Sequence, residues 1–282
     1  MSPRHPVRHP EATTRPRRDV SIRAGRVPWV LMLPALVGVL FLVLPLAGLL
    51  IRAPWGTLGT RLLMPEVRDA LLLSLGTATV ATLISLAVGV PLAWLLARTT
   101  FPGRRYVRAL VTVPMVMPPV VGGVALLLAF GRRGVVGQHL YEWFGYQIPF
   151  TTVAVVAAQV FVAMPFLVIS VEGALRGADR RYEEAAATLG ATRAVIFRRV
   201  TLPMVLPGVA AGAVLCWARA LGEFGATITF AGNLPGVTQT MPIAVYVAMQ
   251  SDPASAIVLS LVLLAVSLVI LTSLREKWIG GL

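Results

Sequence analysis

Six apolar runs, each long enough to cross a bilayer, alternate along the chain with short polar segments. A hydrocarbon core of about 30 Å takes about 20 helical residues. Runs of that length fall at about 28–51, 70–97, 109–130, 152–175, 203–230 and 254–274. The pattern predicts an all-α polytopic membrane protein with six transmembrane helices, residues 28–276 forming one membrane domain. The first run follows a basic segment, as a cleaved secretory signal would, but a signal core spans only about 7–15 residues. Val30 to Ile51 is 22 residues without a charge, so it is read as a retained helix.

The polar positions between the runs set the orientation. Seven basic residues lie in 1–27, four between Arg98 and Arg108, six between Arg176 and Arg199, and two are Arg275 and Lys277. These nineteen share one side of the membrane, and five (Arg52, Arg61, Arg68, Arg132, Arg133) take the other. The positive-inside rule then puts both termini in the cytoplasm. Residues 1–27, with four prolines among the arginines, are expected to be a disordered basic tail that orients the chain or attracts anionic membrane lipid. Residues 277–282 form a short cytoplasmic end.

Composition agrees with a membrane solvent: 57% hydrophobic and 13% charged residues, with a mean hydropathy of +0.80. The net charge of +13 is mostly topology, and no nucleic acid is expected as a partner. Lys277 is the only lysine. A Walker A loop needs one between its glycine-rich turn and a helix, so no nucleotide site of that kind is present and any power must come from elsewhere. A single cysteine, Cys216, and three scattered histidines (His5, His9, His139) offer no redox pair and no metal-ligand spacing. No cofactor is expected on this chain. The spans also lack the paired carboxylates or Ser–His arrangement that an intramembrane enzyme would need.

The polar segment 176–202 carries the most pattern. Its residues predict two short helices joined at a glycine: Asp179 caps the first, Glu183 and Glu184 occupy early turns where the helix dipole favours anions, and Gly190 ends it. Arg193, Arg198 and Arg199 flank an apolar stripe of Val195, Ile196 and Val200, and Pro203 opens the next span. Such a hairpin presents a rigid knob to something cytoplasmic.

The same segment resembles the EAA loop of ABC-importer permeases. Glu184-Ala185-Ala186 is followed by three residues and Gly190, then nine residues and Val200-Thr201-Leu202-Pro203. Valine in place of the family's isoleucine is the one departure. By resemblance the fold is that of a type I ABC-importer permease. Glu183, Glu184, Ala185, Ala186 and Gly190 are then ATPase-coupling residues of a helix that docks on a separate cytoplasmic subunit, which holds ATP and Mg.

The fifth run carries charges at depth, Arg219 and Glu223. Each costs about 2.5–3.5 kcal/mol on insertion scales, so a partner is required, and a spacing of four allows them to pair on one helix face. They are read either as an ion pair that fixes packing or as part of a gate on an oxyanion pathway. Gly208 and Gly212, extended by Ala218 and Gly222, predict a close helix contact, within or between subunits. Pro114, Pro118 and Pro119 should kink or unwind the third run, making Pro114 and Met117 candidate pathway residues. Arg132 and Arg133 stand at the outer mouth, as guides for a dianion or as a solvated loop. Tyr141, Trp143, Phe144 and Tyr146 read as an interfacial aromatic belt.

Ala218 to Gly236, Thr240 to Tyr246, Thr100 to Arg105, Pro114 to Pro119 and Gly131 to Gly137 together are similar to molybdate-importer permeases, over roughly 66–276. The tetrapeptide Gly222-Glu223-Phe224-Gly225 is shared with sulfate permeases, so by itself it implies only a tetrahedral oxyanion. The resemblance implies a homodimer in the bacterial or archaeal cytoplasmic membrane, with two ATP-binding subunits inside and an extracytoplasmic molybdate-binding protein outside. Sulfate, thiosulfate and tungstate are the alternative substrates. A proton-coupled carrier using Glu223 or Glu172 is the alternative class.

Overall fold

The computed structural model describes residues 29–279, so the predicted tail 1–27 and the end of segment 277–282 lie outside the described residues. All regular structure among them is helical, the architecture expected from the apolar runs. The chain divides into two compact units, the first ending at Gly48 and the second beginning at Leu49. The described part of the first is the bulk of helix α1 (Trp29–Ile51), a helix with no buried residue. Its 23 residues make about 35 Å of helix, enough to cross a membrane with lipid as its solvent.

The second unit begins with α2 (Leu58–Leu62) and the long α3 (Pro65–Arg98). Then come α4 (Arg104–Val116), α5 (Pro119–Phe130), α6 (Gly137–Phe144) and α7 (Thr152–Gly177). The polar segment forms α8 (Arg181–Thr188), α9 (Arg193–Ile196) and a π-helical turn, Phe197–Thr201. The chain closes with α10 (Leu202–Leu221), α11 (Gly225–Phe230), α12 (Met241–Ser251) and α13 (Pro253–Ile279). Among the described residues five helices are long and apolar enough to span a bilayer, and α4 with α5 makes a sixth if the bent pair is one span.

The core is the packing of α3, α7 and α10. In lipid, apolar burial gives little drive for helix association, so close contact between small residues takes over. Ala78, Ala81, Ala93 and Ala163 are buried in this core with Leu96, Leu167, Val171 and Cys216. Gly208 and Gly212 of α10 both face α7. A Cβ at 208 would lie 2.3 Å from the Ala174 Cβ, and one at 212 would lie 3.0 Å from the Ser170 Cβ. The Ser170 hydroxyl donates to the Gly208 carbonyl at 3.1 Å. The close contact expected of these glycines is therefore within the chain. The run does not extend that packing within the chain, where Ala218 and Gly222 are exposed.

Two of the predicted continuous spans are broken. Residues 109–130 are not one helix: α4 starts earlier, at Arg104, and α4 and α5 meet at 119°. Pro114 is accommodated inside α4. The break falls at Pro118, which has no N–H to donate to α4, and at Pro119, which opens α5. The run 203–230 is likewise split, α10 ending at Leu221 and α11 starting at Gly225. The aromatic segment 141–146 overlaps α6, a helix that the apolar pattern did not announce.

At the opposite end of α3 from Arg98, polar groups tie the helices. The Ser74 hydroxyl, fully buried, accepts the Met241 N–H at 2.7 Å, joining α3 to α12. Asp252 caps α13, accepting from the Ala254 and Ser255 N–H groups, and pairs with Arg61 of α2.

Candidate functional site

The polar hairpin is built as its residues dictate. The Arg181 N–H donates to Asp179 Oδ1 at 3.0 Å at the start of α8. At the other end Gly190 has φ +82°. Its N–H donates to the Ala187 carbonyl at 3.0 Å, and the Ala191 N–H donates to that of Ala186 at 3.1 Å. This paired closure ends a helix in the left-handed region, where a β-carbon is penalised. Thr192 then caps α9, accepting the Val195 N–H.

The five coupling candidates separate into two groups. Ala185 and Glu184 are exposed, as are Tyr182 and Leu189 beside them. Leu189 is 87% accessible and Tyr182 62%, so this side of the hairpin offers apolar as well as acidic surface. Glu183 points inward: its Oε1 accepts from Arg98 Nη2 at 2.9 Å and from the Thr201 hydroxyl at 3.0 Å. It braces α8 against the end of α3 and against the π-helical turn. Ala186, half-buried, and Gly190 supply the backbone closure. Between α3, α8 and α9 lies a cavity of about 620 Å³ lined by Trp94, Arg98, Glu183, Glu184, Arg193 and Phe197, among others.

A second constellation forms where the two broken spans meet. Arg219 and Glu223 pair at 2.6 Å, but they do not share one helix. Glu223 lies in the break beyond α10, buried, with its Oε1 accepting the Ala226 N–H of α11 at 2.8 Å. The carboxylate thus serves two ends at once, Arg219 in the last turn of α10 and the free N–H groups of α11. The α4–α5 break packs on this one: a Cβ at Gly225 would lie 2.9 Å from the Pro119 Cβ, and one at Gly123 would lie 2.8 Å from the Ala226 carbonyl oxygen. Met117 sits at the break, where a Cβ on Gly122 would meet its terminal methyl at 3.4 Å. Phe224 packs against Tyr246 of α12, the rings tilted by 48° with centroids 5.1 Å apart. Interrupted helices at membrane depth persist where protein buries them or they line a cavity.

The mouth candidates diverge. Arg132 is engaged by Tyr141, donating to its hydroxyl at 2.9 Å and lying 4.1 Å from the ring centroid. Arg133 is exposed. Sequence reading did not foresee the contacts of Glu172. Buried on α7, it takes Arg108 Nη2 at 2.5 Å and Arg176 Nη2 at 2.7 Å. Arg176 is one helical turn away, so that half was legible; Arg108 is 64 positions distant. The carboxylate shared by two guanidiniums ties α4 to α7. Outside the spans, Asp252 has its pKa held at about 2, first by hydrogen bonding from Arg61 and then from Ser255.

Interrupted spans, an intramembrane ion pair and a rigid hairpin projecting from one end define a helical membrane permease, with no group of three or more His, Cys, Asp or Glu placed to hold a metal among the described residues. The chain belongs to the family of binding-protein-dependent transport system inner membrane components, which it matches over residues 89–280. It is 49% identical over 249 residues to the molybdenum transport system permease protein ModB of Mycobacterium tuberculosis, covering 88% of this chain and 94% of that one. It is 36% identical over 240 residues to the sulfate transport system permease protein CysT of Salmonella typhimurium, covering 84% and 86%. Among solved structures, a chain of a bacterial ABC transporter involved in import of the acidic polysaccharide alginate superposes with a TM-score of 0.72. That match is at 19% identity and covers 88% of this chain and 93% of the other. It shows a shared fold, that of ABC-importer permeases.

Proposed function

We propose that this chain is the membrane-spanning subunit of an ATP-driven importer that moves molybdate inward by alternating access. The observation that carries the substrate is the identity to a molybdenum permease over nearly its whole length, above that to the sulfate permease. The hairpin α8–α9 supports the drive: an exposed, capped helix tied by Glu183 to α3 transmits a push from a docked partner instead of absorbing it. The partner is a cytoplasmic ATP-binding subunit, present twice beneath a homodimer of this chain, with ATP and Mg bound there and no nucleotide or catalysis on this chain. An extracytoplasmic binding protein delivers the anion. The hairpin, Arg98 to Arg108 and both termini lie on the cytoplasmic side, as the arginine distribution supports. The two broken spans around Arg219 and Glu223 form the gate region, and Arg133 stands at the outer mouth.

Sulfate remains the competing substrate, because both anions are tetrahedral dianions and the Gly222 to Gly225 element does not separate them. The test is uptake into liposomes containing the permease, its ATPase and the binding protein. ATP-dependent accumulation of molybdate that a large excess of sulfate fails to suppress is the expected result. Faster uptake of sulfate, or equal uptake of both, would overturn the assignment.

A further inference from the structure

Where α3 gives way to α4, four arginines gather at one cavity. Arg104, Arg105 and Arg108 of α4 and Arg176 of α7 line a cavity of about 710 Å³ together with Phe101 and Tyr106. Two of them, Arg108 and Arg176, already share the Glu172 carboxylate. Arg104 keeps a buried Nε without a hydrogen-bond partner. Arg105 lies over the Tyr106 ring, 4.6 Å from its centroid. The arginines also stand at the wrong end of a helix for their sign. The first turn of α4 contains no acidic residue and no side-chain cap, so the positive end of its dipole adds to the guanidinium charges. An anion is the missing complement, and guanidinium forks suit a phosphate group.

The rest of α4 bears on what would carry such a phosphate. Tyr106, Leu110 and Val113 follow one face at helical spacing and are exposed at 64%, 71% and 47%. The stripe starts beside the arginines and leads away from them. The 13 residues of α4 make about 20 Å of helix, a little more than one leaflet of about 15 Å, before the chain turns at Pro118. A free dianion has no part that reaches this stripe, whereas a phospholipid held at the arginines by its phosphate can lay an acyl chain along it.

We propose that α4 carries a specific site for an anionic phospholipid. The headgroup phosphate is held by Arg104 and Arg105 at the cavity, and an acyl chain lies along Tyr106, Leu110 and Val113. The leaflet follows from the orientation given under Proposed function, whereas the site itself does not depend on the substrate or the ATPase. The test is native mass spectrometry of the full-length chain in detergent, titrated with dioleoyl phosphatidylglycerol or with phosphatidylcholine of the same chains. One phosphatidylglycerol per chain should be retained about tenfold better than phosphatidylcholine, and the double variant Arg104→Gln/Arg105→Gln should lose most of that preference. The variant's unchanged retention of phosphatidylcholine controls for folding.

Equal retention of the two lipids by the parent chain overturns the proposal, as does a preference that the double variant keeps. Inorganic phosphate that binds lipid-free protein and displaces phosphatidylglycerol at the same concentration would make this a free-oxyanion site, and the lipid assignment would fall. No transport is measured, so this result and that of the uptake assay stand apart.

Discussion

At Gly208 the approach of the α10 backbone to Ala174 decides which side chains fit. A β-carbon would sit 2.3 Å from that of Ala174, and the hydrogen bond from Ser170 to the Gly208 carbonyl would be displaced with it. Gly208→Val should destabilise the chain by about 1–3 kcal/mol through overpacking, whereas Gly222→Ala, at the exposed end of the same run of small residues, should stay within about 0.5 kcal/mol. Thermal unfolding of the two variants in detergent checks the contrast. Asp252 makes a second residue-scale prediction. Its folded pKa of about 2 lies below the ordinary 3.8, so the charged clamp on Arg61 stabilises the fold above the ordinary value and is lost as pH falls through the folded one. Between pH 4 and pH 2 the parent chain should lose stability that Asp252→Asn never had, so their melting temperatures converge at the acid end.

Among elements, α8 was the most legible, because caps are local chemistry: Asp179 and Gly190 act on backbone within a few positions of themselves. What the motif did not disclose is that its two glutamates differ. Glu183 braces and Glu184 is presented, a distinction that depends on Arg98, 85 positions away. Glu183→Gln should therefore leave the docking surface intact yet weaken transmission: the ATPase still co-purifies while substrate-stimulated hydrolysis and uptake fall. Gly190→Val should do the same more severely, since φ +82° strains a branched residue and unseats the end of α8. Undiminished coupled uptake by both variants would count against α8 as the coupling element. The third span taught the converse lesson. Its prolines signalled a kink, but a bend of 119° follows from what packs on it, α11 seated on Pro119 and Gly123, and no local rule contains that. α6 was hidden because its aromatic residues fit a membrane interface as well as they fit a helix.

For the molecule as a whole, the apolar runs and the arginine asymmetry were sufficient to read an all-helical membrane chain, since the bilayer demands both in one dimension along the sequence. Contacts across the bundle were not readable that way. The anchoring of Glu172 by Arg108 and the choice of α7 as the helix that meets Gly208 are properties of three helices brought together.

The length of α3 has a mechanical consequence. It runs unbroken for 34 residues, about 51 Å, and so exceeds the hydrocarbon thickness by a wide margin. Its last residue, Arg98, grips the hairpin through Glu183, while Ser74, near its start, grips the first residue of α12. The two grips are about 36 Å apart along one helix. A tilt of only 5° about either grip displaces the other by about 3 Å, roughly the length of a hydrogen bond. α3 is thus a beam with a fastening at each end, and a small rotation imposed on the hairpin reaches the far side of the bundle as a shift large enough to break one contact and make another.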